Sequence, residues 1–194
     1  MKKKDIITVK IDGVRFPNKA YGFVDGEKVI VKNGVPGQIV SAQVIKKRGG
    51  NVEARLLEVT ERSELERQEG CCSHYEICGG CTYQTMKRQA ELDMKEQQVK
   101  TLLEDAGIHV ESWEGITPSP LETGYRNKCE FSFGDEVKDG PLALGMRKKM
   151  SHYEVVTLKD CNIVDVDFVT IVQGALAFFQ ERNVAFYHRM RHDG

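Results

Sequence analysis

The sequence predicts a mixed α+β protein in three stretches: a small all-β barrel over residues 1–60, a linker and cysteine segment over 61–84, and an antiparallel sheet with helices over 85–194. Three observations predict it. Strand-like runs alternate with glycine turns up to residue 60, three thiols then fall within ten residues, and after residue 85 a helical period gives way to alternation and returns.

In the first stretch, Ile7-Thr8-Val9-Lys10-Ile11 nearly alternates, Lys28-Val29-Ile30-Val31 is a short apolar run, and residues 37–45 alternate over a longer span. Asp12-Gly13, Asp25-Gly26, Asn33-Gly34 and Pro36-Gly37 supply turns, and residues 51–59 form a closing strand. An oligonucleotide-binding type of barrel is the natural candidate. Lys46-Lys47-Arg48-Gly49-Gly50 reads as a flexible basic finger at a hairpin tip, suited to phosphates but carrying no base code. Tyr21 and Phe23 have the rings to stack on bases, although Phe23 is expected to fill the barrel instead. Residues 1–60 hold 12 Lys or Arg against 6 Asp or Glu in a chain whose net charge is −1. Such a surplus guides a domain to a polyanion or merely keeps it solvated, and charge alone leaves both readings open.

Residues 61–69 are mostly charged, lack an apolar face and read as a linker or domain boundary. Cys72-Ser73-His74-Tyr75-Glu76-Ile77-Cys78-Gly79-Gly80-Cys81 follows. Its glycine pair lets the backbone turn tightly enough to aim the sulfurs at one point, and thiolate is the soft ligand that zinc and iron–sulfur clusters select. Cys161 is a fourth candidate far downstream. Cys71 stands one residue out of register, Cys129 falls in an expected strand and reads as a small buried hydrophobe, and His74 is the nitrogen donor of a conceivable mixed zinc site.

Residues 85–106 are strongly helical in composition, with Leu92, Val99, Leu102 and Leu103 as an apolar stripe and Gly107 as the C-terminal cap. Cys81 is thereby expected just before a helix whose positive end favours its thiolate. Residues 128–133, 142–146 and 153–158 should pair as an antiparallel sheet. A helix over 166–182 should cover one face of it with Phe168, Ile171, Val172, Ala175, Leu176 and Phe179. Residues from 184 begin a strand that ends on a turn signal with no partner, as a truncated domain would.

The apolar run at residues 6–11 is too short for a signal peptide, and no run reaches membrane-spanning length. A cytoplasmic monomer without membrane association is expected, in a compartment where reduced thiols serve metals and not disulfides.

The spacing Cys72-x5-Cys78-Gly79-Gly80-Cys81 with a distant Cys161, behind a small basic barrel, resembles the RNA uracil carbon-5 methyltransferases, close to the branch that acts on 23S ribosomal RNA. Gly124-Tyr125-Arg126-Asn127-Lys128 and Asp160-Cys161 resemble that family's central domain, so the likeness covers nearly the whole chain. It implies that residues 1–60 are a TRAM barrel and that Cys72, Cys78, Cys81 and Cys161 hold a 4Fe-4S cluster. Three close ligands plus one distant one favour a cluster over an all-cysteine zinc site, whose ligands usually come as two close pairs. RNA, and 23S ribosomal RNA in particular, is the implied partner. Lys46, Lys47 and Arg48 are the expected phosphate contacts, joined by Tyr125, Arg126 and Lys128, which read equally as a strand start with solvated charges.

The family enzyme is implied to use S-adenosylmethionine: a cysteine adds to carbon 6 of a flipped-out uracil, carbon 5 takes the methyl, and a base removes its proton before the cysteine leaves. No glycine-rich cofactor loop after a strand and no nucleophile motif stands in this sequence, so no catalytic or S-adenosylmethionine-binding residue is carried over. The chain is expected to bind a cluster and RNA without transferring a methyl group. An autonomous RNA-binding module with a structural four-cysteine metal site is the alternative. A radical S-adenosylmethionine enzyme is disfavoured, because its Cys-x3-Cys-x2-Cys triad is tighter than the spacing here.

Overall fold

A computed structural model describes residues 1–68, 72–188 and 191–194, with every side chain there except that of Arg48. Cys71 and the Arg48 side chain therefore lie outside the described residues. The chain forms two compact units, Met1–Glu69 with Thr85–Pro118 and Gly70–Gln84 with Ser119–Gly194.

The first unit is a curled sheet of six strands: β1 (Ile6–Lys10), β2 (Gly13–Arg15), β3 (Lys19–Val24), β4 (Glu27–Lys32), β5 (Ile39–Arg48) and β6 (Asn51–Glu61), in the order β1-β5-β6-β4-β3-β2. Every pairing is antiparallel except β4 with β6. β-Branched and small residues make this possible. Val9, Ala20, Val29, Val31, Val40, Ala42 and Val52 are fully buried on the concave side, where compact side chains let a small sheet curl tightly. Gly22 is needed for the same reason, since a Cβ there would meet the Lys10 carbonyl at 2.0 Å. β2 and β3 are missing from the expectation, although Pro17-Asn18 between them is turn-forming.

The break between the two units falls after Glu69, and residues 62–68 are tied into the first unit. Glu66 is buried, its carboxylate accepts from Gln38 Nε2 at 3.0 Å and from the Ser63 N–H at 2.9 Å, and Glu66 bridges to Met86. Arg67 N–H to the Thr85 carbonyl and Lys87 N–H to the Leu65 carbonyl complete a clasp around Met86, which is wholly buried.

Helix α1 (Arg88–Asp105) belongs to this unit, and not with the sheet downstream. Gly107, at φ +70°, ends it as expected: Gly107 N–H reaches the Glu104 carbonyl and Ile108 N–H the Leu103 carbonyl, a Schellman arrangement. The apolar stripe behaves otherwise. Val99 and Leu102 are exposed, and the buried residue of α1 is Gln98, whose amide donates to the Val14 carbonyl at 3.3 Å.

The second unit holds β7 (Ser132–Asp135), β8 (Leu142–Arg147) and β9 (Val155–Thr157), antiparallel in that order, with α2 (Val166–Glu181) packed on β8. β7 starts later than alternation suggested, so Cys129 lies before the strand, not inside it. Val172 and Leu176 of α2 bury against Leu144 and Leu158, with Val169 and Cys161 beside them. Ile171 is exposed; Val169 takes the place on the apolar face that the sequence reading gave it. Asp165 caps α2, its carboxylate accepting from the Asp167 N–H. Beyond residue 184 the described chain forms no strand, only a bridge from His188 to Asp193.

Candidate metal centre

The cysteine segment is held from two sides within the second unit. On one side, Cys78 bridges to Lys148 just past β8, Gly79 N–H donates to the Arg147 carbonyl at 2.8 Å, and Lys149 N–H donates to the Ile77 carbonyl at 2.7 Å. Gly79 is sterically required there, and Gly80 fits a tight space. A Cβ on Gly79 would stand 2.9 Å from the Arg147 carbonyl oxygen, and one on Gly80 would stand 3.1 Å from Met146 Cε and 3.4 Å from Cys78 Sγ. Gly80 also donates its N–H to Cys78 Sγ at 3.3 Å.

On the other side, Ser73 gives both its N–H and its hydroxyl to the Asp160 carboxylate, at 3.1 and 2.9 Å. His74 is buried and its Nε2 accepts the Lys159 N–H at 2.9 Å, with Asp160 3.7 Å away. These contacts carry the segment that ends in Cys161 to the cysteine loop. His74 serves here as a backbone acceptor, which spends the lone pair a metal would need.

Cys72, Cys78, Cys81 and Cys161 are free thiols, each half-buried. Burial pushes the Cys81 thiol up to about 11, and negative charge on Cys72, Cys161 and Cys78 pushes it the same way. Burial likewise raises Cys72, helped by Asp160, Cys161 and Cys78. Cys81 therefore feels the charge of the other three members of the set, and Cys72 that of Cys161 and Cys78. The expectation that a helix N-terminus favours the Cys81 thiolate fails, because α1 begins only at Arg88 and belongs to the other unit. Among the described residues, no three His, Cys, Asp or Glu side chains stand where a single metal ion would be held.

Two neighbours, Lys149 and Gln84, carried no sequence signal. Lys149 donates from Nζ to the Tyr75 carbonyl at 2.6 Å, lies 4.1 Å over the Tyr75 ring, and feels charge on Cys78, Cys81 and Cys72. Gln84 accepts the Cys72 N–H at 3.1 Å. Cys129 feels charge on Cys161 and Cys78, while burial raises its own thiol.

The expected RNA contacts fall in both units, Lys46 and Lys47 in the first and Tyr125, Arg126 and Lys128 in the second. Lys46 and Lys47 belong to β5 and not to a flexible tip, and they are engaged by Glu53 at 3.2 Å and by Glu27. Tyr125 is exposed, Lys128 pairs with Glu130 at 3.0 Å, and Arg126 bridges to Val164 through its backbone. No helix among the described residues is long and apolar enough to cross a membrane.

Comparison with known proteins gives a consistent answer. No protein-family model matches the chain. It is 39% identical over all 194 residues to an uncharacterized RNA methyltransferase of Caldanaerobacter subterraneus subsp. tengcongensis, spanning 43% of that protein. Over 147 residues, 75% of the chain, it is 31% identical to the 23S rRNA (uracil(1939)-C(5))-methyltransferase RlmD of Pseudomonas putida, spanning 32% of it. The fold matches that of the Pyrococcus abyssi tRNA (uracil-54, C5)-methyltransferase, solved with S-adenosyl-L-homocysteine, with a TM-score of 0.63, 20% identity, and 96% of this chain and 40% of that one covered. Spanning about two fifths of the length of the curated relatives it matches over its full length, the chain belongs to the RNA methyltransferase family that includes the 23S rRNA uracil-C5 enzymes.

Proposed function

We propose that the chain is the RNA-binding and cluster-binding part of an RNA uracil-C5 methyltransferase acting on 23S ribosomal RNA in the cytoplasm, and that it transfers no methyl group by itself. The observation that carries the reading is the return of Cys161 to the cysteine loop through Asp160 and Lys159. The donor set fits the group: four unpaired thiols, a tight turn at Gly79-Gly80 with a backbone carbonyl against Gly79, and an N–H already directed at one sulfur. Cys72, Cys78, Cys81 and Cys161 would hold a 4Fe-4S cluster, which when bound supplies a four-thiolate cross-link between the loop and the segment before α2. His74 and Asp160 hold the two backbones in register for it.

The curled sheet serves as a TRAM-type barrel directed at RNA, and S-adenosylmethionine would be the methyl donor of the whole enzyme. The names of the relatives support this reading. Anaerobic purification with iron, sulfide and zinc analysis tests the centre, with iron and sulfide in equal amounts expected. Zinc without sulfide would overturn the cluster. A tritium-transfer assay on 23S RNA should give no turnover with this chain, and measurable turnover would overturn the claim that it lacks the chemistry.

A further inference from the structure

Strand alternation turns Ala20, Gly22, Val29 and Val31 into the core, so Lys19, Tyr21, Phe23, Lys28, Ile30 and Lys32 form the outward face of β3 and β4. Phe23, expected inside, is 56% exposed. It stands edge-on to Tyr21 with ring centroids 6.4 Å apart, and Lys28 Nζ lies 4.6 Å over the Tyr21 ring. One exposed phenylalanine is ordinary on a protein surface. Here two aromatics share a strand face with three lysines, and none of the six outward positions is a carboxylate.

The register sharpens the point. Lys19 lies directly opposite Lys32, Tyr21 opposite Ile30 and Phe23 opposite Lys28. Like charges facing each other across a ladder disfavour the sheet, and a bound phosphate relieves that repulsion. Lys46 and Lys47, by contrast, already have carboxylate partners in Glu53 and Glu27. Aromatic faces flanked by unneutralised cations are the combination that holds unpaired bases and their backbone.

We propose that the outward face of β3 and β4 binds single-stranded RNA, with Phe23 stacking on a base and Lys19 and Lys32 meeting phosphates. The choice of RNA rests on the proposed function; the placement rests on the strand register and exposure alone. A protein partner is disfavoured by the uniform positive charge.

Fluorescence anisotropy with a labelled single-stranded oligoribonucleotide and the matching duplex tests it on the 194-residue chain. Phe23→Ala should weaken single-strand binding roughly ten-fold with an unchanged salt slope, and Phe23→Trp should restore it. Lys19→Ala with Lys32→Ala should reduce the salt slope by about 1.4. Lys46→Ala with Lys47→Ala should change affinity less than either. Because Phe23 is exposed, circular dichroism and thermal midpoint should match the parent in the two Phe23 variants, and circular dichroism should show every variant folded. Unchanged affinity in the Phe23 variant, with the parent binding normally, would overturn the placement while leaving RNA as the partner. A parent that binds neither oligonucleotide, or that self-associates through Phe23, would overturn both.

Discussion

Gly79 shows how much of the cysteine site depends on one absent atom. A methyl there would press on the Arg147 carbonyl oxygen, a backbone atom fixed by the strand it follows, whereas at Gly80 the nearest atom is the mobile end of Met146. Gly79→Ala should therefore lower the stability of the second unit by about 1–3 kcal/mol, and Gly80→Ala by clearly less, as read by thermal unfolding of the two variants side by side. An equal loss in both would remove the steric explanation. The pair was legible in the sequence as a tight turn between ligands, but which glycine is indispensable was not, because the obstructing carbonyl belongs to a residue 68 positions downstream. Lys149 was illegible for the same reason. Nothing in Lys148-Lys149-Met150 distinguishes it, and its contact with Tyr75 exists only once the loop has folded onto the end of β8.

Among the elements, the ends of helices were read most directly, because capping is a local matter of backbone dihedrals and neighbouring side chains. Gly107→Ala should cost the first unit about 1 kcal/mol, since φ of +70° suits glycine and strains alanine, and urea unfolding would detect the shift in midpoint. The faces of the helices were harder. The stripe of α1 suggested a packed surface, yet Gln98 is what the unit buries, through a hydrogen bond to Val14 that no hydrophobic period announces. β9 carries a pH dependence of its own. Hydrogen bonds from Thr157 hold the Glu136 carboxyl below the usual carboxylate range, and Oε1 accepts the Thr157 N–H at 2.9 Å. This contribution is present above the ordinary glutamate value and is lost as pH falls through the lowered folded value, because the unfolded chain then takes up the proton first. Acid titration of Glu136→Gln should accordingly show a shallower fall in stability below about pH 4.5 than the parent. Superimposable titrations would remove the carboxylate from this role.

At the scale of the whole molecule, two cores of different make-up stand in one chain. The first unit buries valines and alanines inside its curled sheet, and the second buries leucines and a valine between its sheet and α2. Each core uses residues from its own unit, so damage to the cysteine site should stay local. Cys161→Ser should raise amide exchange across residues 72–84 and leave Val9, Val29 and Val31 as protected as before, measured by hydrogen exchange with mass spectrometry. Loss of protection in both units alike would show that the centre supports the first core as well. The strand and helix periods, the glycine turns, the cysteine spacing and the family likeness were legible in the chain, because each is a pattern written in the residues themselves. That residues 63–67 clasp 85–87, that α1 belongs with the first sheet, that His74 is an acceptor and that Phe23 faces outward between lysines emerge only in the folded chain. Those outcomes depend on partners distant in the chain and on which way a curled sheet turns its faces, and no short window of sequence contains either.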